Sequence, residues 1–248
     1  MNKKNFTRYL GVVCANYRIY LFSTGRFCKK DNFQLNTSED GYGFKLESNK
    51  GEISNEKTQK EDISKCRDFL ITPFNNIYLL TYRHITQKKG YLQTAFSKDL
   101  INWKKMGKVS EVKVSGMISP NSHNNNFILY LGGKSIKITR SEDFKTWYTD
   151  KKTLLKLPNQ LNKTHKIRIG TVLAADEGIL VIYYLGHSIY ALLFDKKNPE
   201  KIKWQSNQPL WKQDNKLEED HILPIGIVKL DDNLLTYWQD LSGKIFTT

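Results

Sequence analysis

One phrase recurs in this chain. It reads Phe96-Ser97-Lys98-Asp99-Leu100-Ile101-Asn102-Trp103 and again Thr139-Arg140-Ser141-Glu142-Asp143-Phe144-Lys145-Thr146-Trp147. A weaker copy stands earlier, at Asn36-Thr37-Ser38-Glu39-Asp40-Gly41-Tyr42-Gly43-Phe44. Each copy has a strand-like run, then Ser-x-Asp at a turn, then an aromatic that opens the next strand. The Ser and Asp side chains bond nearby backbone N–H groups and fix a tight turn. Repetition every several tens of residues, each copy closing a strand-rich unit, is the mark of a radial repeat fold.

Strand signals are frequent along the chain and long helical periodicity is scarce. Four times a strand, a short polar turn and a strand rich in Tyr and Leu follow one another: Phe69–Tyr82, Met117–Leu131, Gly170–Tyr184 and Ile225–Trp238. These hairpins begin 48, 53 and 55 residues apart. With the N-terminal unit the count is five. The expectation is an all-β chain, a five-bladed β-propeller of four-stranded antiparallel blades, in a single domain over residues 1–248. Residues 48–64 are polar and rich in Glu and Lys, and read as a mobile loop. The N-terminal strand is expected to close the ring, because an open ring leaves two sheet edges bare.

Charge is lopsided, with 39 basic against 25 acidic residues, or +14. The lysines come in scattered pairs at turns, with no Arg-rich stripe, so a solvated basic surface is favoured over a nucleic-acid footprint. Cys14, Cys28 and Cys66 are odd in number and lack metal spacing, and read as small core residues of a reducing compartment. The apolar run Leu10–Ala15 is cut short by Asn16 and Arg18, which fits a first strand rather than a signal segment. No run reaches the length of a membrane helix. A cytoplasmic location, no membrane contact, no metal and no cofactor are the corresponding expectations; nothing in the sequence fixes the oligomeric state.

In a propeller the inner strands converge on a central channel, so equivalent positions in successive hairpins mark the site. These are Arg67-Asp68, Tyr82-Arg83-His84, Ser119–Asn121, Gly132–Lys134, Arg168, Tyr184–His187 and Asp240. Asp240 is a candidate to accept a sugar hydroxyl or activate water, or else a strand-end turn residue. Arg83 and Arg168 suit an anion or a sugar hydroxyl, and equally a rim ion pair. Tyr82, Tyr184 and Trp238 suit stacking on the apolar face of a sugar, but for any one of them a place in the core is favoured. Trp103 and Trp147 belong to the repeated turn and are structural.

The chain resembles the five-bladed glycosidase propellers, and most closely glycoside hydrolase family 130, the β-mannoside phosphorylases and related hydrolases. The most specific stretch is Tyr190-Ala191-Leu192-Leu193-Phe194-Asp195-Lys196-Lys197-Asn198-Pro199-Glu200-Lys201-Ile202, followed by Gln208-Pro209-Leu210-Trp211. Arg168-Ile169-Gly170 stands where the family has Lys-Ile-Gly. Ile225-Gly226 through Tyr237-Trp238-Gln239-Asp240 is similar to the family's last blade. Cys66-Arg67-Asp68-Phe69-Leu70-Ile71-Thr72 aligns with Glu-Asp-Pro-Arg-Ile-Thr, and Arg67-Asp68 also resembles the Arg-Asp-Pro of the fructosidase and arabinanase propellers. There are departures. Phe69 and Leu70 replace Pro and Arg, Leu131-Gly132-Gly133 stands in place of the phosphate-holding His-Arg-Pro, and Tyr184 replaces the phosphate-contacting His. His187, three residues on, is a displaced substitute for that His or a solvated loop residue.

The resemblance implies an inverting glycosidase on a β-mannoside or related bond, with Asp68 as general acid and Arg67 beside it. On a strand Arg67 points to the face opposite Asp68. Loss of the phosphate contacts favours hydrolysis over phosphorolysis. The alternative is a catalytically degenerate propeller that binds carbohydrate or protein. A basic scaffold for nucleic acid has only net charge behind it. The expected partner is a mannoside-like oligosaccharide.

Overall fold

The computed structural model describes residues 7–25, 28–55, 59–86, 90–110, 115–157, 165–212 and 222–248. His221, to which the sequence assigns no role, lies outside them. Strands account for almost all regular structure; the one helical element among the described residues is a 3₁₀ turn at Ile63–Lys65.

The first two units are four-strand meanders. One comprises β1 (Arg8–Ala15), β2 (Arg18–Thr24), β3 (Phe33–Ser38) and β4 (Lys45–Ser54). The next comprises β5 (Cys66–Phe74), β6 (Ile77–Ile85), β7 (Gly90–Ser97) and β8 (Asn102–Ser110). Neighbours within each run antiparallel. Two parallel contacts join them into one closed circuit: Gly11 with Phe69 on the inside, and Glu52–Ser54 with Asn102–Lys104 on the outside. At the inner contact the strands approach so closely that a Cβ on Gly11 would sit 2.0 Å from the Phe69 carbonyl oxygen.

The third sheet follows with β9 (Gly116–Ile118), β10 (Phe127–Leu131), β11 (Ser135–Ser141), β12 (Tyr148–Thr149) and β13 (Leu155–Lys156). The fourth has β14 (Ile167–Ala175), β15 (Gly178–Leu185), β16 (Ser188–Asp195), β17 (Ile202–Gln205) and β18 (Trp211–Lys212). In each, the outermost strand is broken into two pieces that pair the same neighbour, β11 or β16. The last sheet has three described strands, β19 (Ile222–Leu230), β20 (Asn233–Asp240) and β21 (Ile245–Thr247). Four-strand units thus hold for the first two sheets and, with the broken strand counted once, for the next two.

The hairpins read from the sequence are β5–β6, β9–β10, β14–β15 and β19–β20. The first strands, β1, β5, β9, β14 and β19, touch in succession, and β19 returns to β1. They surround a common cavity of about 210 Å³. The core lies between successive sheets, as in the cluster of Phe22, Phe33, Phe69, Tyr82 and Trp103 between the first two. The short β9 is stitched in by side chains. Thr72 Oγ1 donates to the Ile118 carbonyl at 2.7 Å, Thr81 Oγ1 to that of Gly116, and Ile169 N to Ser115 Oγ at 2.8 Å.

The repeated turns have one geometry. Ser38, Ser97 and Ser141 each bond the Asp two residues on. Those Asp carboxylates accept two successive backbone N–H groups at 2.7–2.9 Å. The residue after each Asp is left-handed: Gly41 (φ 86°), Leu100 (φ 63°) and Phe144 (φ 62°). Leu100 and Phe144 carry a Cβ into a conformation that costs about 1 kcal/mol. Each places a buried side chain in return.

The Gly43 and Thr146 backbone N–H groups, with their neighbours, hold the Asp40 and Asp143 carboxyls at about 2. Their folded values lie below the ordinary 3.8, so the stability they contribute is present above pH 3.8 and lost as pH falls toward about 2. An Asp40→Asn, Asp143→Asn double variant should therefore lose less thermal stability than the wild type across that interval. Parallel acid melting curves check it; identical pH slopes would refute it.

Three expectations change. Residues 48–64 do not form a loop throughout: Lys45–Ser54 is a strand, and Asp62 caps the Ile63–Lys65 turn by accepting from Ser64 N at 3.2 Å. The alternating polar face of an outer strand looks like a loop to composition alone. Second, β1 and β2 lie within the ring, but β1 adds no strand to the last sheet. β1 packs against β19, and a side chain bridges the two ends: Gln239 Oε1 accepts from Tyr9 N at 3.1 Å and Gln239 Nε2 donates to Thr7 O at 2.9 Å. One amide thus supplies both bonds that a neighbouring strand would make at that point. Third, Cys66 is buried and its thiol pushed up to about 12 by that burial, whereas Cys14 and Cys28 are half-buried; all three are free.

Candidate active site

Asp68 lies at the open end of the β5–β6 hairpin, away from its turn at Asn75-Asn76. The β5 register slips between Arg67 and Leu70, a bulge, and Asp68 occupies it with φ 53°. Bulges re-aim side chains, and Asp tolerates the left-handed region better than most residues. Two arginines hold the preceding backbone. Arg8 donates to the carbonyls of Ile63 and Cys66, both at 3.2 Å, and of Ser64 at 3.3 Å. Arg67 Nη1 donates to Ser64 O at 2.8 Å and Cys66 O at 2.7 Å. Burial lowers the Arg8 guanidinium to about 10.

The Asp68 carboxylate is nearly covered, at 8% exposure, and both its oxygens are ion-paired: Oδ2 with Arg83 Nε and Oδ1 with Arg168 Nη2. Arg83 comes from the end of β6 and Arg168 from the start of β14, a hundred residues from Asp68. The two guanidiniums are 25% and 30% exposed, so the cluster faces solvent through its cations. It carries one more positive than negative charge and fits an anion or an array of hydroxyl oxygens.

The other expected residues fall elsewhere. Arg67 is committed to the turn carbonyls and turns away from Asp68. Tyr82 is fully buried, edge-on to Phe69 and adjacent to Glu61. Tyr184 and Trp238 are 2% exposed and pack edge-to-face at 5.2 Å, with Trp211 against Trp238 at 5.1 Å. None of the three rings has a face open for a sugar; the inter-sheet core claims them. Asp240 accepts from Ser242 Oγ at 2.6 Å and Lys244 N at 2.9 Å, which makes it the anchor of the β20–β21 turn.

His187 sits in the turn between β15 and β16, at the same end as Arg168, and its buried Nδ1 has no hydrogen-bond partner. Gly132–Lys134 joins β10 to β11 at that end, whereas Ser119–Asn121 lies at the opposite, turn end of the hairpins. Sequence reasoning missed Arg8, whose role depends on contacts 55 to 58 residues away. It also missed Glu61, which pairs with Lys105 and with His84 Nε2 at 3.6 Å beside Tyr82. Among the described residues no group of three or more His, Cys, Asp or Glu side chains is placed to hold a metal ion. No described helix is long and apolar enough to cross a membrane.

The sequence profile of glycoside hydrolase family 130, described as beta-1,4-mannooligosaccharide phosphorylase, matches residues 4–222. A 1,2-beta-oligomannan phosphorylase from Thermoanaerobacter sp. (strain X514) is 26% identical over 216 residues, covering 81% of this chain and 72% of that protein. A glycosyl hydrolase from Bacteroides ovatus superposes with a TM-score of 0.78 at 16% identity, over 98% of this chain and 83% of the other. The beta-1,2-mannobiose phosphorylase of Listeria innocua, in complex with beta-1,2-mannobiose, does so with a TM-score of 0.75 at 14% identity, over 99% and 90%. At such identities the two structures show a shared fold.

Proposed function

This chain belongs to glycoside hydrolase family 130, and on that premise we propose that it cleaves a β-mannosidic bond in an oligosaccharide by inversion, with Asp68 as the general acid. The ring is read as a five-bladed β-propeller forming one domain, with the site at the open ends of its inner hairpins. The observation that carries the reading is the convergence of Asp68, Arg83 and Arg168 on one partly exposed point. Proton delivery to the leaving oxygen requires a neutral carboxyl group. In the productive complex the two guanidiniums therefore leave Asp68 for oxygens of the bound sugar. Water is the favoured nucleophile, since the core takes Tyr184 where the family offers its phosphate-contacting His.

A second reading has its own support. Two arginines at the acid are a ready place for inorganic phosphate, which needs no base to attack, and the similar Thermoanaerobacter protein is named a phosphorylase. Incubation with β-1,2- and β-1,4-linked manno-oligosaccharides, with and without phosphate, separates the two. Free mannose of inverted configuration without phosphate is the expected product. Mannose 1-phosphate formed only with phosphate would establish the second reading. No product from folded protein would leave a propeller that binds carbohydrate or protein without turnover.

A further inference from the structure

The cavity surrounded by the inner strands is lined mainly by apolar residues, Val12 of β1, Leu70 of β5, Met117 of β9, Val172 of β14 and Ile227 of β19 among them, with Thr72, Thr171 and Lys229 as its polar members. A lining of this kind gives water few partners and accepts apolar guests. Along β14 the wall runs from Gly170 to Ala174, roughly 13 Å at about 3.3 Å per residue. That depth suits an extended hexyl or octyl chain.

A second cleft, of about 640 Å³, adjoins the cavity at the turn end of the hairpins, and Pro120 and Ala174 stand in the walls of both. Its polar wall is Asn75, Asn121, Ser122, His123, Asp176 and Lys196. The amides and the hydroxyl both donate and accept, and the one carboxylate is matched by one ammonium. This inventory suits a neutral polyhydroxyl group better than an ion. His123 Nε2 lies 2.7 Å from the Lys197 carbonyl, which ties the loop before β10 to the fourth sheet and stiffens the wall.

We propose that the cleft and cavity together form a second ligand site, for a neutral amphipathic glycoside whose sugar lies in the cleft and whose short alkyl chain enters the ring. The site is at the opposite end of the hairpins from Asp68, and it stands or falls independently of the cleavage chemistry.

The chain holds three methionines, Met1, Met106 and Met117. Met117 lines the cavity, while Met106 packs in a separate cluster beside Val109 and Trp147. Methionine-methyl NMR of the full chain, titrated with octyl glucoside below its micelle concentration, reads the site directly. The Met117 resonance should shift saturably and that of Met106 should not. Removing two methylenes, from octyl to hexyl, should weaken binding roughly tenfold, and methyl glucoside should leave Met117 unmoved. Ala174→Trp, an exposed position at the mouth, should abolish the shift while leaving the starting spectrum folded. An unmoved Met117, an equal response to methyl glucoside, or parallel movement of Met106 would each overturn the proposal. If Ala174→Trp does not fold, the chain-length series on the wild type decides.

Discussion

Asp68→Asn is expected to lower the rate of mannoside cleavage by about 100- to 10,000-fold, the range a positioned general acid contributes. Asn is the informative replacement. It keeps the shape of the side chain, and like Asp it tolerates the left-handed backbone that the bulge imposes at φ 53°. It removes the proton that the leaving oxygen must receive, together with the charge of the carboxylate. The cost to the fold is small: Arg83 and Arg168 lose a counter-ion, but both guanidiniums are partly exposed and screened by water. Initial rates of sugar release, set beside circular dichroism of the same preparation, test this. A variant that turns over at the wild-type rate would remove Asp68 from the chemistry.

Trp103→Ala should produce the largest loss of stability, about 3–5 kcal/mol. The indole is 1% exposed, lies in the cluster joining the first two sheets, and packs edge-on to Phe22 at 6.4 Å. Its Nε1 donates to the Leu100 carbonyl at 3.0 Å, so the ring also braces the left-handed residue of its own turn. Truncation opens a cavity and releases that brace together. For a chain of this size the melting temperature should fall by roughly 10 °C. Trp147→Ala, at the equivalent place in the next copy, should cost less, because that indole is 9% exposed and its Nε1 has no hydrogen-bond partner. Thermal melts of the two variants give the comparison; equal losses would mean that the repeated turns do not differ in how they anchor the sheets.

What could be read from the residues is what they decide locally. In all three copies the Ser bonds the Asp two residues on, and the Asp carboxylate accepts the backbone N–H groups two and three residues further along. The hairpins follow from alternation and Asn- or Asp-rich turns, and the hairpin expected over Met117–Leu131 ends with β10 at Leu131. Family likeness singles out Asp68, and charge alone marks Arg83 and Arg168 as candidates for the site. Their meeting was not legible. Arg83 reaches Asp68 across the β5–β6 hairpin, fifteen residues away, but Arg168 is a hundred residues off on another sheet, and only the packing of separate sheets brings it to the same carboxylate.

The aromatics show the limit most plainly. Tyr82, Tyr184 and Trp238 have the residue types a sugar platform needs, and the same types fill cores. Composition cannot separate the two uses, because burial depends on which neighbouring sheet lies across each strand. Ring closure has the same character. A single Gln amide standing in for a strand leaves no period or motif, since its partners at Thr7 and Tyr9 are more than 200 residues away. The sequence by itself determined the inner hairpins, their turns and the succession of repeated units, because these rest on contacts between residues close along the chain, but not the polar outer strand Lys45–Ser54. The tertiary structure alone decided that Arg168 meets Asp68, which rings are buried and how the circle closes, because each depends on which sheets pack against one another.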